Sequence, residues 1–294
     1  MNHQTMEDLP KIDLHMHTTV SDGTDSPEAI LERVREEGIR LFSVTDHDAV
    51  KAARIIPPLL GGGDPFFVTG AEFSCRDEEG KYHILGYGFD PDSAPMLELI
   101  ETGHRFRMEK LMGRIEHLRQ EFGIVLPEEE RERLLKEDNP GKPHIGNLLT
   151  RLGYAESKDQ AIREILNHIH YNGEYVRPEE AIRCILKGGG IPVLAHPTYG
   201  DGDQLILGEA MEKRLRRLTS FGLEGLEGYY SGFTARIRQE VLGFAEQFGL
   251  YVTAGSDYHG SNKLVRLGDI GAPASEPCAE GLLRFLERIR FHTA

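Results

Sequence analysis

Long apolar runs are missing from this sequence. No window approaches the ~18 apolar residues that a membrane-spanning helix needs, so no membrane partner is expected. The opening residues, MNHQTMEDLPK, carry no basic stretch followed by an apolar one, and no signal peptide is expected. Cysteine is scarce: Cys75, Cys184 and Cys278 are odd in number and far apart. They exclude a disulfide framework and a zinc knuckle, and a reducing, cytoplasmic setting is expected. Positive charge is the minority sign, with 34 Lys and Arg against 48 Asp and Glu. That balance argues against broad binding to duplex nucleic acid, which needs a basic surface. The glycine clusters Gly61-Gly62-Gly63 and Gly188-Gly189-Gly190 lack the spacing of a phosphate-cradling loop. Internal repeats and low-complexity tracts are absent as well.

What is present reads as one large soluble domain or a domain carrying an insertion. The 294 residues are 39% hydrophobic and 28% charged, ordinary for a globular protein. Apolar runs alternate with helical patterns. Lys11–Leu14 leads into His15-Met16-His17, and Ile39–Val44 ends in Thr45-Asp46-His47-Asp48. Phe66–Thr69 ends in Gly70-Ala71-Glu72, and Tyr82–Phe89 contains His83. Later, Ile191–Ala195 runs into His196-Pro197, Leu223–Glu227 forms a strand, and Leu250–Ala254 precedes Gly255-Ser256-Asp257-Tyr258-His259. Ser26-Pro27-Glu28 opens a helix that Gly38 closes, and Leu205–Phe221 and Thr234–Phe248 are helical. Such alternation predicts an α/β fold on a parallel sheet, barrel or doubly wound. Residues 95–187 differ. Met96, Leu99, Ile100, Phe106, Leu111, Ile115 and Leu118 form a helical stripe, with breaks at Gly123, Pro127, Asn139-Pro140-Gly141 and Asn172-Gly173. This stretch is expected to be a helical insertion capping the domain made by residues 1–94 and 188–294.

The thirteen histidines are placed unevenly. His15, His17, Asp22, His47, Glu72, His83, His196, Asp257 and His259 fall mostly at the carboxyl ends of predicted strands, the edge where parallel α/β folds build sites. Residues two apart on an extended segment face the same side, so His15 can converge with His17 and Asp257 with His259. These imidazoles and carboxylates could hold about three divalent ions if Glu72 bridges two. Nitrogen and oxygen donors suit manganese, zinc or iron. Other histidines carry less. His168-Ile169-His170 lies in the helical region, where such spacing does not converge. His104 and His117 belong to the long helix, and His3 and His292 are terminal. Cys75 is expected to be a small buried hydrophobe.

The ordered set DLHMHT, SDG, TDHD, GAEFS, YHILGYG, AHP and GSDYH closely resembles the PHP (polymerase and histidinol phosphatase) family over nearly the whole chain. Within it, the chain is most similar to stand-alone metal-dependent phosphoesterases with a helical insertion, a group that includes 3',5'-nucleoside bisphosphate phosphatases. The resemblance implies a distorted (βα)7 barrel with a trinuclear centre. His15, His17, Glu72 and Asp257 would hold one ion, Glu72, His83 and His196 a second, and Asp22, His47 and His259 the third. Glu72, His47 and Asp257 would be the catalytic core. Asp13 and Asp46 read as carboxylates that orient ligating histidines. In the resembling group the place of Asn139–His144 carries a basic residue and, two on, a histidine, so Lys142 and His144 are expected to grip substrate phosphate. Arg177 and Tyr199 are further substrate-binding candidates. The bisphosphate group has a basic residue before its Gly-Tyr-Val stretch; here Glu174 follows Gly173, and Arg177 is expected to compensate.

With no nucleophilic Ser or Cys motif, metal-assisted hydrolysis is the expected chemistry. Two ions ~3.5–4 Å apart hold a bridging hydroxide that attacks phosphorus in line with the leaving alcohol. A small phosphomonoester is the expected substrate, best a nucleoside 3',5'-bisphosphate. The alternatives are a histidinol-phosphatase-like enzyme, a 5'-3' exonuclease on short RNA, an amidohydrolase acting on no phosphate, and a regulatory metal-binding module without catalysis.

Overall fold

Short strands and longer helices alternate in the computed structural model, which describes residues 4–169, 171, 173–200 and 204–290. His3, His170, Asn172 and His292 lie outside the described residues. Strand β1 (Ile12–Asp13) precedes helix α1 (Pro27–Glu36). Ser26 caps α1 by accepting the Ala29 N–H at 3.2 Å, and Gly38 turns the chain out at φ 65°. Strand β2 (Leu41–Phe42), helix α2 (Ala52–Ile55) and strands β3 (Phe66–Phe67), β4 (Gly70–Asp77) and β5 (Gly80–Tyr87) follow. Helices α3 (Ala94–Phe122), α4 (Glu128–Lys136), α5 (Lys142–Arg151), α6 (Lys158–Ala161) and α7 (Pro178–Lys187) come next. The chain ends with β6 (Ile191–Leu194), α8 (Gly208–Phe221), β7 (Gly225–Tyr230), α9 (Ala235–Gln247), β8 (Tyr251–Gly255) and α10 (Glu280–Arg288).

Strands β1, β2 and β3 pair in parallel, as do β6, β7 and β8. Two seams join these groups. The Leu14 N–H donates to the Ala254 carbonyl at 2.9 Å, beside a Met16–Tyr258 bridge, and ties β1 to β8. The Asp48 N–H donates to the Glu72 carbonyl at 2.9 Å, and so ties the segment after β2 to β4. Since β3 runs into β4 as one bent stave, the described residues form a distorted seven-stave α/β barrel. One stave departs from the parallel pattern: β5 is antiparallel to both β4 and β6. The tight turn between Asp77 and Gly80 explains it, because so short a loop can join only antiparallel neighbours. Helix α8 also starts three residues later than expected, because Leu205 bridges Tyr199 and the Ile206 N–H donates to Thr198.

Leu14, Phe73, Ile84, Val193, Leu226 and Val252 are buried in the main core, together with Ile182 and Ile185 of α7. At ~1.5–3 kcal/mol for each fully buried side chain, this apolar layer stabilises the fold. The polar edge above it opposes, because Asp13, Glu72, Glu227 and several imidazoles are buried there. Helix α3 packs Met96 and Leu99 on the barrel core, then joins α4, α5 and α6 in a separate cluster containing Leu111, Leu118, Ile145, Leu148, Leu149 and Leu166. Gly103 permits the close pass of α3 over the loop after β2: a Cβ there would meet Asp48 Oδ1 at 2.9 Å.

Candidate metal centre

Glu72 stands at the middle of the polar edge. Its Oε2 lies 3.4 Å from His15 Nε2, 3.2 Å from His17 Nε2 and 3.2 Å from His47 Nδ1. Its Oε1 lies 2.8 Å from His83 Nδ1 and 3.2 Å from His196 Nε2. Asp257 Oδ1 is 3.4 Å from each of His15 Nε2, His17 Nε2 and His259 Nδ1. Asp22 closes the group, with Oδ1 at 3.3 Å from His259 Nε2 and Oδ2 at 3.9 Å from His47 Nε2. All the donor residues expected from the sequence are therefore gathered in one place. They fall there because each follows or enters a strand at the same edge of the barrel, with the reversed β5 delivering His83 from its amino-terminal half.

The donor set fits divalent cations. His15 Nε2, His17 Nε2 and His47 Nδ1 are buried without a hydrogen-bond partner among the described residues, and all three aim at the carboxylates. Unpartnered buried nitrogens are costly unless something binds them. Three sets of donor atoms lie close enough to share an ion: His17, Asp22, His47 and His259; His15, His17 and Asp257; and His47, Glu72 and His83. The protonation pattern agrees. Burial pulls the His15 imidazole down, but Glu227, Glu72 and Asp257 outweigh it and leave it well above the ordinary value. His17 is likewise raised to about 9, by Asp257 and Glu72 against burial. Glu72, Asp22 and Asp257 are held well below the carboxylate range by imidazoles, although burial opposes this. Protons on His15 and His17 thus supply positive charge that bound cations would displace, whereas burial holds His47 well below the ordinary imidazole value.

Beside this cluster lies a cavity of about 210 Å³. Asp22, His47 and His83 form one wall, and Arg107, Lys110, Arg114 and Lys142 from α3 and α5 face them. Arg107 is tied to Asp48 at 2.9 Å and to Ser74. Lys110 and Arg114 make no carboxylate contact among the described residues. Burial, then Arg114, Arg107, Lys81 and Lys142, push Lys110 well below the ordinary lysine value. Burial lowers Arg114 to about 10, and burial with Arg114 and Lys81 lowers Lys142 to about 8. The exposed Glu174 is the carboxylate at this rim.

The match of the PHP domain model to residues 13–287 covers these elements. The chain belongs to the PHP family. It is 30% identical over 275 residues to the phosphoribosyl 1,2-cyclic phosphate 1,2-diphosphodiesterase of Eggerthella lenta, covering 88% of this chain and 97% of that one. It is 28% identical to a 5'-3' exoribonuclease of Haemophilus influenzae, covering 88% and 93% of the two chains. With the 3',5'-nucleoside bisphosphate phosphatase of Chromobacterium violaceum it shares 26% identity, covering 85% and 88%. A crystal structure from Bifidobacterium adolescentis, of a protein considered a metal-dependent phosphoesterase, superposes with a TM-score of 0.78 at 25% identity, covering 94% and 96%.

Other expected residues of this PHP chain divide. Lys142 lines the cavity and bonds Asn167 Oδ1 at 2.6 Å. His144 instead accepts the Gly141 N–H at 3.1 Å and caps α5. Arg177 pairs with Glu78 at 2.9 Å and lines a neighbouring cavity. Tyr199 is exposed, 5.7 Å from the His196 ring. Asp46 accepts from Ser21 Oγ at 2.7 Å, and Ser21 in turn sits 3.4 Å from His17 Nδ1. Asp13 touches no ring. It accepts the His15 and Ser256 N–H groups, and burial pushes its carboxyl up to about 6 against those bonds. Glu227, unread in the sequence, does the orienting. Its Oε1 is 2.8 Å from His15 Nδ1 and its Oε2 accepts the His196 N–H at 2.7 Å. A proton held on Nδ1 leaves Nε2 bare toward the centre. A carboxylate inside the apolar strand Leu223–Glu227 was the available signal. For Lys110 and Arg114 it was their i, i+3, i+7 spacing from Arg107, one helix face. His104 and His117 bond Asn139 and the Gly113 carbonyl, away from the cluster, His168 is exposed, and Cys75 is buried.

The backbone is strained at this edge: Asp48, His196 and Asp257 adopt φ of 50°, 26° and 57°. Such conformations cost ~1–3 kcal/mol each and persist where surrounding contacts over-determine them.

Proposed function

We propose that this PHP-family phosphoester hydrolase, a metal-dependent phosphoesterase, removes phosphate from a small substrate that carries a second phosphate, best a nucleoside 3',5'-bisphosphate. The observation that carries this reading is the cationic wall of Lys110, Arg114 and Lys142 facing the donor cluster across one cavity. A dianionic group there relieves the mutual repulsion and burial that depress those lysines. Histidinol phosphate would bring its own ammonium toward Lys110, which disfavours that reading.

In the proposed arrangement His15, His17, Glu72 and Asp257 hold one divalent ion, Glu72, His83 and His196 a second, and Asp22, His47 and His259 a third, with manganese, zinc or iron suited to the donors. Bound ions of this kind supply a water of lowered pKa and neutralise phosphoryl oxygens. The chain does the rest. Glu72, His47 and Asp257 would hold the ions at the reacting end of the cavity, while Arg107, braced on Asp48, lines the same cavity. Lys110, Arg114 and Lys142 bind the distal phosphate and set the direction of the leaving alcohol. Phe106, Tyr175, Pro140 and Pro143 line the same space and exclude water. Residues 95–187 act as the cap over a barrel of residues 1–94 and 188–294; their separate apolar cluster supports this, while α7 packs with the barrel. No helix among the described residues is long and apolar enough to cross a membrane, and the free cysteines support a cytoplasmic setting.

A second reading, hydrolysis of short RNA, is favoured by one feature. The cavity shares Phe106, Glu174 and Tyr175 with a neighbouring space of about 580 Å³, room for a longer chain. The test is substrate comparison with a Lys110→Met, Arg114→Met double variant. KM for a 3',5'-bisphosphate is expected to rise ~10–100-fold, with kcat/KM for a simple monophosphate little changed. Equal losses on both substrates would refute the two-phosphate reading, and preference for a dinucleotide would favour the second.

A further inference from the structure

Helix α8 buries Met211, Arg214, Leu215 and Leu218, so an arginine occupies a place on its apolar stripe. Burial of a guanidinium is tolerated where its donors are satisfied. Arg214 Nη1 donates to the Pro197 carbonyl at 3.0 Å and to the Tyr199 carbonyl at 2.9 Å. Its Nη2 reaches the Lys81 carbonyl at 3.5 Å, and the guanidinium lies over the Tyr82 ring, 4.8 Å from its centroid. These contacts fall on the loop after β6 and on the first residues of β5, and each segment carries a histidine of the cluster. Pro197 and Tyr199 follow His196, and Lys81 stands two residues before His83. His196 and His83 are the two imidazoles on Glu72 Oε1.

The loop after β6 needs such a hold. His196 sits at φ 26°, and its N–H is taken by Glu227. Beyond it, the His196 carbonyl accepts from Tyr199 and the Thr198 carbonyl from Ile206, leaving the Pro197 and Tyr199 carbonyls to Arg214. Remove the guanidinium and the Pro197 and Tyr199 carbonyls lose the donor they have among the described residues, next to a strained ligand.

We propose that Arg214 is the positioning residue for the His83–His196 corner of the centre, holding both imidazoles at the spacing that one ion on Glu72 Oε1 requires. The inference rests on the metal reading above. The Arg214 guanidinium reaches two segments from two nitrogens, Nη1 to the Pro197 and Tyr199 carbonyls and Nη2 toward that of Lys81, which a single lysine ammonium on a shorter reach does not reproduce.

The test uses the full chain and Mn²⁺ alone. Arg214→Met, Arg214→Lys and, as a control on the same helix, Arg217→Met are compared by metal content after gel filtration, by calorimetric Mn²⁺ titration and by the Mn²⁺ concentration giving half-maximal activity. Arg214→Met is expected to lose about one ion and to need ~10–100-fold more Mn²⁺. Its kcat should recover at saturating Mn²⁺ and its KM should stay unchanged. Arg214→Lys should fall between it and the wild type, and serves alone if Arg214→Met does not fold. Arg217→Met should bind Mn²⁺ as the wild type does. Wild-type Mn²⁺ binding in the Arg214 variants that fold, or an equal loss in Arg217→Met, overturns the proposal. A wild-type chain that binds no Mn²⁺ at these histidines overturns the metal reading instead.

Discussion

On one wall of the cavity, imidazoles and carboxylates hang from strand ends on short side chains, buried and cross-braced by Glu227, Asp46 and Ser21. On the other, cations ride on long side chains from the surface of α3 and α5, with few fixed partners. The first wall is set by backbone position, since His15 and His17 cannot move without shifting β1. The second rests on single contacts at the tips of long side chains, Arg107 on Asp48, Lys142 on Asn167 and Lys110 over the Tyr175 ring. Under the proposed function, rigid placement would suit groups that share small ions, and longer side chains would suit a phosphate that can be met from many directions.

The comparison breaks if the first wall tolerates change. Glu72→Gln keeps the shape and removes the central charge. It should strip metal from two positions, by metal analysis, and lower turnover by roughly 10³-fold. Full activity with intact metal content would show that the wall is not organised around this carboxylate. A smaller effect is expected from Glu227→Gln, which touches no ion itself. Metal affinity should fall ~10–100-fold, by calorimetry, with kcat largely restored at saturating metal. The second wall should respond more gently, and to pH. Lys142 carries charge below its depressed value of about 8 and loses it above. KM for a bisphosphate should therefore rise as pH climbs through 8, by up to ~10-fold, the equivalent of 1.4 kcal/mol. Lys142→Arg, which stays charged, should flatten that limb; an unchanged profile would remove Lys142 from substrate binding.

The same contrast governs what the sequence discloses. Ligands at strand ends repeat with a period of two and follow apolar runs, so His15 with His17, and Asp257 with His259, are legible from spacing. Strand and helix alternation discloses an α/β fold on a parallel sheet, barrel or doubly wound; the seven-stave barrel is legible only through the resemblance to the PHP family. Lys110 and Arg114 hide because basic residues on a helix surface ordinarily face water, whereas here the Lys110 ammonium lies over the Tyr175 ring, 4.4 Å from its centroid, and both line the cavity. Glu227 hides because one carboxylate in a strand gives no periodic signal. The reversal of β5 hides in a turn of two letters, Glu78-Glu79.

That reversal has a mechanical consequence. Because β5 runs backwards, the chain leaves it at the floor of the barrel, level with Gly70, and must climb the full height to reach the opening. Helix α3, 29 residues long, makes the climb in its first half: from Ala94 it reaches Asp48 at Gly103 and Arg107, roughly 20 Å along at 1.5 Å per residue. It therefore works as a ruler with a phase. Lengthening it by single residues would spin the charged face by roughly 100° each time and point it away from the opening. Adding about a whole turn would lift that face by roughly 5.4 Å with its heading kept. Substrates of different length can thus be accommodated by editing the ruler alone, with the ligands at the rim untouched.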